Sequence, residues 1–415
     1  RSFVGTSYLW WYKPAKGAYE LLAHTILSEG DAMTNKISLL FIAAAGLSLA
    51  GCPDSGPGSG GGSLGTTAPP FVYVANNTSN NVSGFTIGAG GLLNSTSPTT
   101  FSTGGTAPTW VAVSPNGQFV YVANNTTNDV SAFTVNQSTA VLTATTPATF
   151  PIGGGSTPQG ITVSPNGQFL YVANTNSGNA TVSAFTLNTS TGVLTPTVPA
   201  TFSTVGATSP QGIAVSPNGQ FLYVANSGSD NVSAFTIGAG GLLTPTVPAT
   251  FSTGPGSAPF GITVSSDGQF VYVTNSATNE VAGFIIGVGG VLTPTTPATF
   301  STGVGLNTPK GIAVSPVGQF LYVANSGTNE VAAFTIAGAG VLTATTPSVF
   351  STGAGTAPFG VTVSLNGQFV YVTNTGPDNV AAFTIGAGGV LTSTVPATFS
   401  TGGTNPSGIG VPGRP

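Results

Sequence analysis

Side chains able to do chemistry are scarce in this chain. Lysine and arginine together number six, aspartate and glutamate ten, and histidine and cysteine one each, in 415 residues. Two recurring sets stand out. The first occupies the middle of a repeated P-x-G: Thr109, Gln159, Gln211, Phe260, Lys310, Phe359 and Ser407. Beside Thr109 stands Trp110, where the other units place Gly160, Gly212, Gly261, Gly311, Gly360 and Gly408. Aromatic anchors mixed with amides and hydroxyls suit the rim of a binding site for a protein or glycan ligand; drift in exposed loops would produce the same variety. The second set is acidic: Asp129, Asp230, Glu280, Glu330 and Asp378. It could attract Ca²⁺ or a basic partner. Turn chemistry explains it more economically, because Asp and Asn bond to nearby backbone and tolerate left-handed geometry. There is about one carboxylate per unit and no EF-hand spacing.

Other chemistries lack their residues. No Cys/His cluster could hold zinc, and there is no P-loop, no G-x-S-x-G and no paired His and carboxylate. The recurring "GAGG" segments precede no helix and read as turns, so no metal or cofactor is expected. Net charge is −4 and basic residues are not clustered, which argues against nucleic-acid binding. Charged residues make up only 4% of the chain. Disorder does not follow, because Phe, Tyr, Val, Ile and Thr recur throughout.

The elements that must position these residues are repeats. The Tyr of Y-V-(A/T)-N falls at Tyr73, Tyr121, Tyr171, Tyr223, Tyr272, Tyr322 and Tyr371, at spacings of 48 to 52 residues. A period near 50 with strand-like content indicates propeller blades. Each unit divides into four strand candidates: G-I-(T/A)-V, a turn "SPNGQ", F-(V/L)-Y-V-(A/T)-N, a polar turn, V-(S/A)-(A/G)-F, a Gly-rich turn, and a last segment ending in T-F-S-T-G. The Asn-Gly of the first turn is a hairpin signal, and Asp267 replaces that Asn as a turn residue. Phe recurs before each Tyr, in each third strand and in each fourth, as packing between blades. Each such Phe, if fully buried, would cost ~3–5 kcal/mol on truncation to Ala. Proline in the fourth strand marks an edge, where its missing N–H needs no partner.

The first unit, from Phe71, lacks a first strand, and residues 408–411 are a first strand without a unit. Pairing them closes a ring. The expectation is an all-β, seven-bladed propeller over residues 71–415, with four antiparallel strands per blade. In such a ring the loops from strand four to strand one, and from two to three, share one face. The P-x-G residues then surround the mouth of the central channel. Trp110 would be a rim anchor or a filler near the axis.

Residues 33–52, "MTNKISLLFIAAAGLSLAGC", combine a positive start, an apolar stretch of signal-peptide length and small residues before Cys52. This order resembles the lipobox of bacterial lipoproteins. The resemblance implies export, removal of the leader, and a lipid on the Cys52 thiol that holds the protein at the membrane of a bacterial cell envelope. Residues 53–70 are a Gly/Ser/Pro tether. Residues 1–32 lack a starting Met and precede a complete leader, so they are read as an upstream, mistranslated segment.

The unit "SPNGQFLYVAN…NVSAFTIGAGGLLTP" resembles the seven-bladed propellers of the 6-phosphogluconolactonase type and the YVTN repeats. Lactonases of that type carry a P-x-H pattern and His, Arg or Glu around the channel mouth. Here Trp110 and six glycines hold the matching positions, and no His follows His24. The family's catalytic set cannot be carried over. The expectation is therefore a binding or scaffold module of the envelope, with a lactone hydrolase using carboxylates and backbone, or a structural adhesion protein, as the alternatives.

Overall fold

The computed structural model describes residues 10–15, 18–23, 70–153, 156–175 and 180–413. Two units are distinguished, divided between Ser63 and Leu64. In the first, the strands Trp10–Ala15 and Ala18–Ala23 form an antiparallel hairpin. The leader, Cys52 and the tether lie outside the described residues. The second unit is seven four-stranded antiparallel sheets.

Blade three shows the pattern, with strands Pro158–Val163, Phe169–Asn174, Thr181–Leu187 and Leu194–Ser203 in sequential order from axis to rim. Four of the second strands, Phe71–Asn76 among them, are buried at every position, and in the other three only the leading Phe is half-buried. Both their faces press on neighbouring sheets, which is why these segments are apolar without alternation. Core clusters accordingly span blade pairs: Tyr223 and Val232 of blade four pack with Val273 and Phe284 of blade five. Third-strand phenylalanines from Phe85 to Phe383 are all buried. In the outermost strand Phe202, Phe251, Phe350 and Phe399 are only half-buried, because an edge strand has neighbours on one side.

The seven tyrosines are fully buried. Each hydroxyl donates to a carbonyl in the turn between strands three and four of the next blade, as Tyr223 does to Gly290 at 3.1 Å and Tyr371 to Gly91 at 2.9 Å. Each bond contributes about 1 kcal/mol, and burial raises every one of these phenol pKa values above the ordinary tyrosine range. The "GAGG" segments are single turns of 3-10 helix, as at Ala89–Gly91. The last glycine has positive φ, +80° at Gly91, and a Cβ there would overlap the Phe369 ring.

The "SPNG" turn differs in detail from the Asn-Gly hairpin expectation. Only the glycine has positive φ, +69° at Gly117. The Asn116 side chain instead accepts from Ser114 Oγ at 2.7 Å and from the Gln118 N–H at 3.0 Å. Asp267 accepts the corresponding pair from Ser265 and Gln269.

The ring is closed as the repeat phase demands. Strand Pro406–Gly410 pairs with strand Phe71–Asn76, Val74 opposite Ile409 and Tyr73 opposite Gly410. Ser407 Oγ donates to the carbonyls of Ala75 in blade one and Pro108 in blade two, both at 3.2 Å.

Candidate binding site at the channel mouth

Each first strand enters through a β-bulge. In blade three Pro158 faces Asn174 and Ile161 faces Val172, so two residues, Gln159 and Gly160, oppose one. All seven first strands show this irregularity. A bulge re-aims the side chain it carries, here the variable residue of P-x-G. The glycine that follows is dictated by crowding at the axis: a Cβ on Gly311 would sit 2.6 Å from the carbonyl oxygen of Phe359 in the next blade.

Side chains that follow the second strand of the preceding blade hold four of the seven bulges by the proline carbonyl. Asn77 Nδ2 donates to Pro108 O at 3.1 Å, and Ser276 Oγ to Pro309 O at 2.7 Å. In the two blades that read Y-V-T-N, the threonine ties its own bulge to that of the next blade. Thr274 Oγ1 accepts from the Gly261 N–H and donates to Lys310 O, both at 2.8 Å. Thr373 does the same for Gly360 and Ser407. These are the blades whose bulges carry Phe260 and Phe359.

The re-aimed residues converge. Thr109, Trp110, Gln159, Gln211, Phe260, Phe359 and Ser407 line one cavity of about 230 Å³. Phe359 lies 5.8 Å from Trp110 and 5.5 Å from Phe260, the second pair edge to face. Lys310 does not line the cavity; its Nζ lies over the Phe260 ring, 4.4 Å from the centroid. Burial lowers the Lys310 pKa from its ordinary value. Trp110 also lines a second cavity of about 560 Å³, walled by Val163, Ile262, Ile312, Val361 and Ile409. It therefore takes both positions considered for it, mouth wall and axial filler.

Three further lining residues, Asn77, Thr375 and Asn405, were not singled out by sequence. Asn77 and Thr375 directly follow Y-V-(A/T)-N. A shared loop face was the only signal pointing to them.

Four of the five acidic residues, Asp129, Asp230, Glu280 and Asp378, are accounted for by local bonding. Asp230 and Asp378 have φ of +52° and +54°. Their carboxylates accept from the backbone N–H of Ala258 and Asn405 at 2.9 and 2.7 Å, in the loop that enters the next blade. Asn80 and Asn329 make the same bond to Ala107 and Ala357. Asp129 accepts from Asn124 and Glu280 from Thr299. Among the described residues no three His, Cys, Asp or Glu side chains gather as metal ligands.

The cavity thus has an aromatic wall, an arc of neutral amides and hydroxyls, and one ammonium at its edge. That arrangement suits a ring with an apolar face and hydroxylated edges. The sequence model described as "Lactonase, 7-bladed beta-propeller" matches residues 66–206 and 210–395. No curated protein matches the sequence. Among solved structures, the periplasmic gluconolactonase of Pseudomonas aeruginosa is similar at 20% identity and TM-score 0.66, covering 81% of this chain and 98% of that one. A candidate 6-phosphogluconolactonase of Bacteroides fragilis is similar at 21% identity and TM-score 0.67, covering 83% and 98%. A protein of unknown function from Desulfotomaculum acetoxidans is similar at 19% identity and TM-score 0.66, covering 83% and 99%. Identities this low speak to the fold.

Proposed function

This chain belongs to the lactonase family of seven-bladed β-propellers, and from that premise we propose that it hydrolyses the cyclic ester of a sugar acid at the channel mouth. The observation that carries the reading is the convergence of Trp110, Phe260 and Phe359 at one cavity, with the Lys310 ammonium over the Phe260 ring beside it. The lactone ring stacks on the aromatic wall and its hydroxyls meet Gln159, Gln211 and Asn77. Water adds to the acyl carbon, the bond from that carbon to the ring oxygen breaks, and a proton passes to the departing oxygen. The resulting acid ionises to a carboxylate. Negative charge develops on the acyl oxygen in the transition state, and an ammonium at a partly desolvated site stabilises it. Lys310 is the only Lys or Arg among the described residues from 70 onward.

The family match supports hydrolysis over a purely scaffolding role. One observation favours the second reading, non-catalytic binding of a sugar in the same cavity: among the described residues no carboxylate or imidazole lines it. Purified protein decides between them. Its rate on glucono-δ-lactone, followed by pH-stat above the spontaneous rate, is expected to be saturable, and Phe359→Ala to raise KM by about tenfold through the loss of ~1–2 kcal/mol of stacking. A rate equal to the spontaneous one leaves the binding module.

Export and anchoring remain part of the proposal, resting on residues 33–52 alone. Cells fed a clickable fatty acid are expected to label the protein, and Cys52→Ser to remove the label; labelling that survives the substitution ends this part of the reading.

A further inference from the structure

The mouth holds groups for a ligand's hydroxyls and very little for a ligand's charge. Among the described residues Gln159 makes no side-chain hydrogen bond within the protein, and Gln211 makes one long bond, 3.4 Å to Ser227 Oγ. Asn77 spends its amide N–H on Pro108 O and keeps Oδ1 free. These are neutral groups that can pair with hydroxyls as donors or acceptors. A phosphate needs a guanidinium fork, an ammonium, or a nest of backbone N–H groups. Among the described residues no arginine lines the cavity. The Lys310 ammonium, over the Phe260 ring, is a single positive charge and cannot by itself balance the roughly −1.5 to −2 of a phosphate ester. The bulge N–H groups of Gly261 and Gly360 are taken by Thr274 and Thr373.

The surrounding face adds repulsion. Asp129, Asp230, Glu280, Glu330 and Asp378 stand on or beside the turns between strands two and three, on the same face as the equivalent turns that carry Asn77 and Thr375. Among the described residues, five carboxylates thus share the face of a mouth with one ammonium nearby. A phosphate ester carries roughly −1.5 to −2 at neutral pH and meets this field on approach.

Resting on the sugar-ring reading of the cavity, we propose that the mouth selects an uncharged polyol ring and rejects the same ring bearing a phosphate. The same field acts on the product. Hydrolysis turns a neutral lactone into a carboxylate, which the acidic face then repels, so release is favoured and product inhibition is weak.

The test pairs binding with turnover. Calorimetry with glucose and glucose 6-phosphate is expected to show the neutral ring bound at least about 10-fold tighter at low ionic strength, with the gap narrowing as salt screens the carboxylates. Glu330→Gln is expected to narrow it as well. Equal or tighter binding of the phosphate, or binding of neither sugar, overturns the proposal. Hydrolysis of glucono-δ-lactone and 6-phosphoglucono-δ-lactone separates it from the reading beneath. Turnover of both lactones without discrimination keeps the hydrolase and ends the selectivity. Discrimination in binding without turnover of either lactone keeps the selectivity and ends the hydrolase.

Discussion

A chain ending at Thr404 is expected to lose the cooperative unfolding of the whole propeller. The truncation removes the inner strand of blade one, which pairs with residues 71–76 from 332 positions away in sequence, as the bond from Ser407 to Ala75 records. Ile409 packs with Val72, Val74, Phe85 and Phe369 across blades one and seven. Losing it alone would cost about 2–5 kcal/mol. The truncation also removes the bonds from Ser407 to blades one and two, and leaves Thr373 of blade seven without the Ser407 carbonyl. Blade one then exposes an unpaired strand edge and a buried face to water. The summed loss is comparable with the ~5–15 kcal/mol that stabilises a typical domain. Thermal unfolding by circular dichroism, with limited proteolysis between residues 71 and 102, reads the result. An unchanged, single, cooperative transition would sink the ring-closure argument, because the closing strand would then be dispensable.

Lys310→Met is expected to lower kcat for lactone hydrolysis by about 10²–10³-fold, the range for losing one stabiliser of a developing oxyanion. Methionine keeps most of the apolar stem and removes the charge, so packing on Phe260 survives. Folding should be intact, because Lys310 contributes its carbonyl, not its side chain, to the bond with Thr274. The pH dependence follows from burial. The ammonium is the active form, and desolvation lowers its pKa from 10.5. Catalysed turnover is therefore full on the acid side of that lowered value and falls as pH rises through it. The enzymatic excess over spontaneous hydrolysis, measured across the alkaline range, checks the sign. Excess activity that is flat or rising there, or a Lys310→Met variant at full kcat, removes Lys310 from the chemistry.

Much of the fold was legible because its information is periodic. A Tyr every 48 to 52 residues with a Phe two positions before it marks each of the seven blades, and a Gly-rich turn follows in five of them. The phase of the repeat at the two ends required the closing strand. The P-x-G positions could be assigned to one mouth because loops on the same side of a sheet share a face. The acidic turns were also legible, since Asp and Asn at those positions do what their side chains do in any tight turn.

Local patterns could not supply what depends on the curvature of the ring. Trp110 and Phe359 are 249 residues apart, and their contact at 5.8 Å exists only because seven sheets close around an axis narrow enough for side chains to meet. The same curvature decides that Phe260 lies edge to face with Phe359, and that Lys310 rests on Phe260. It makes Trp110 part of both cavities at once. The pairing of Y-V-T-N with the two phenylalanine bulges has the same origin, because the threonine bonds to a carbonyl of the next blade. Sequence by itself determined the blade, the number of blades, the closure and the candidates for the mouth, since each follows from short-range patterning and strand phase. The tertiary structure decided which candidates touch and how the single ammonium is seated, since those contacts join side chains far apart in the chain and are set by how the sheets pack.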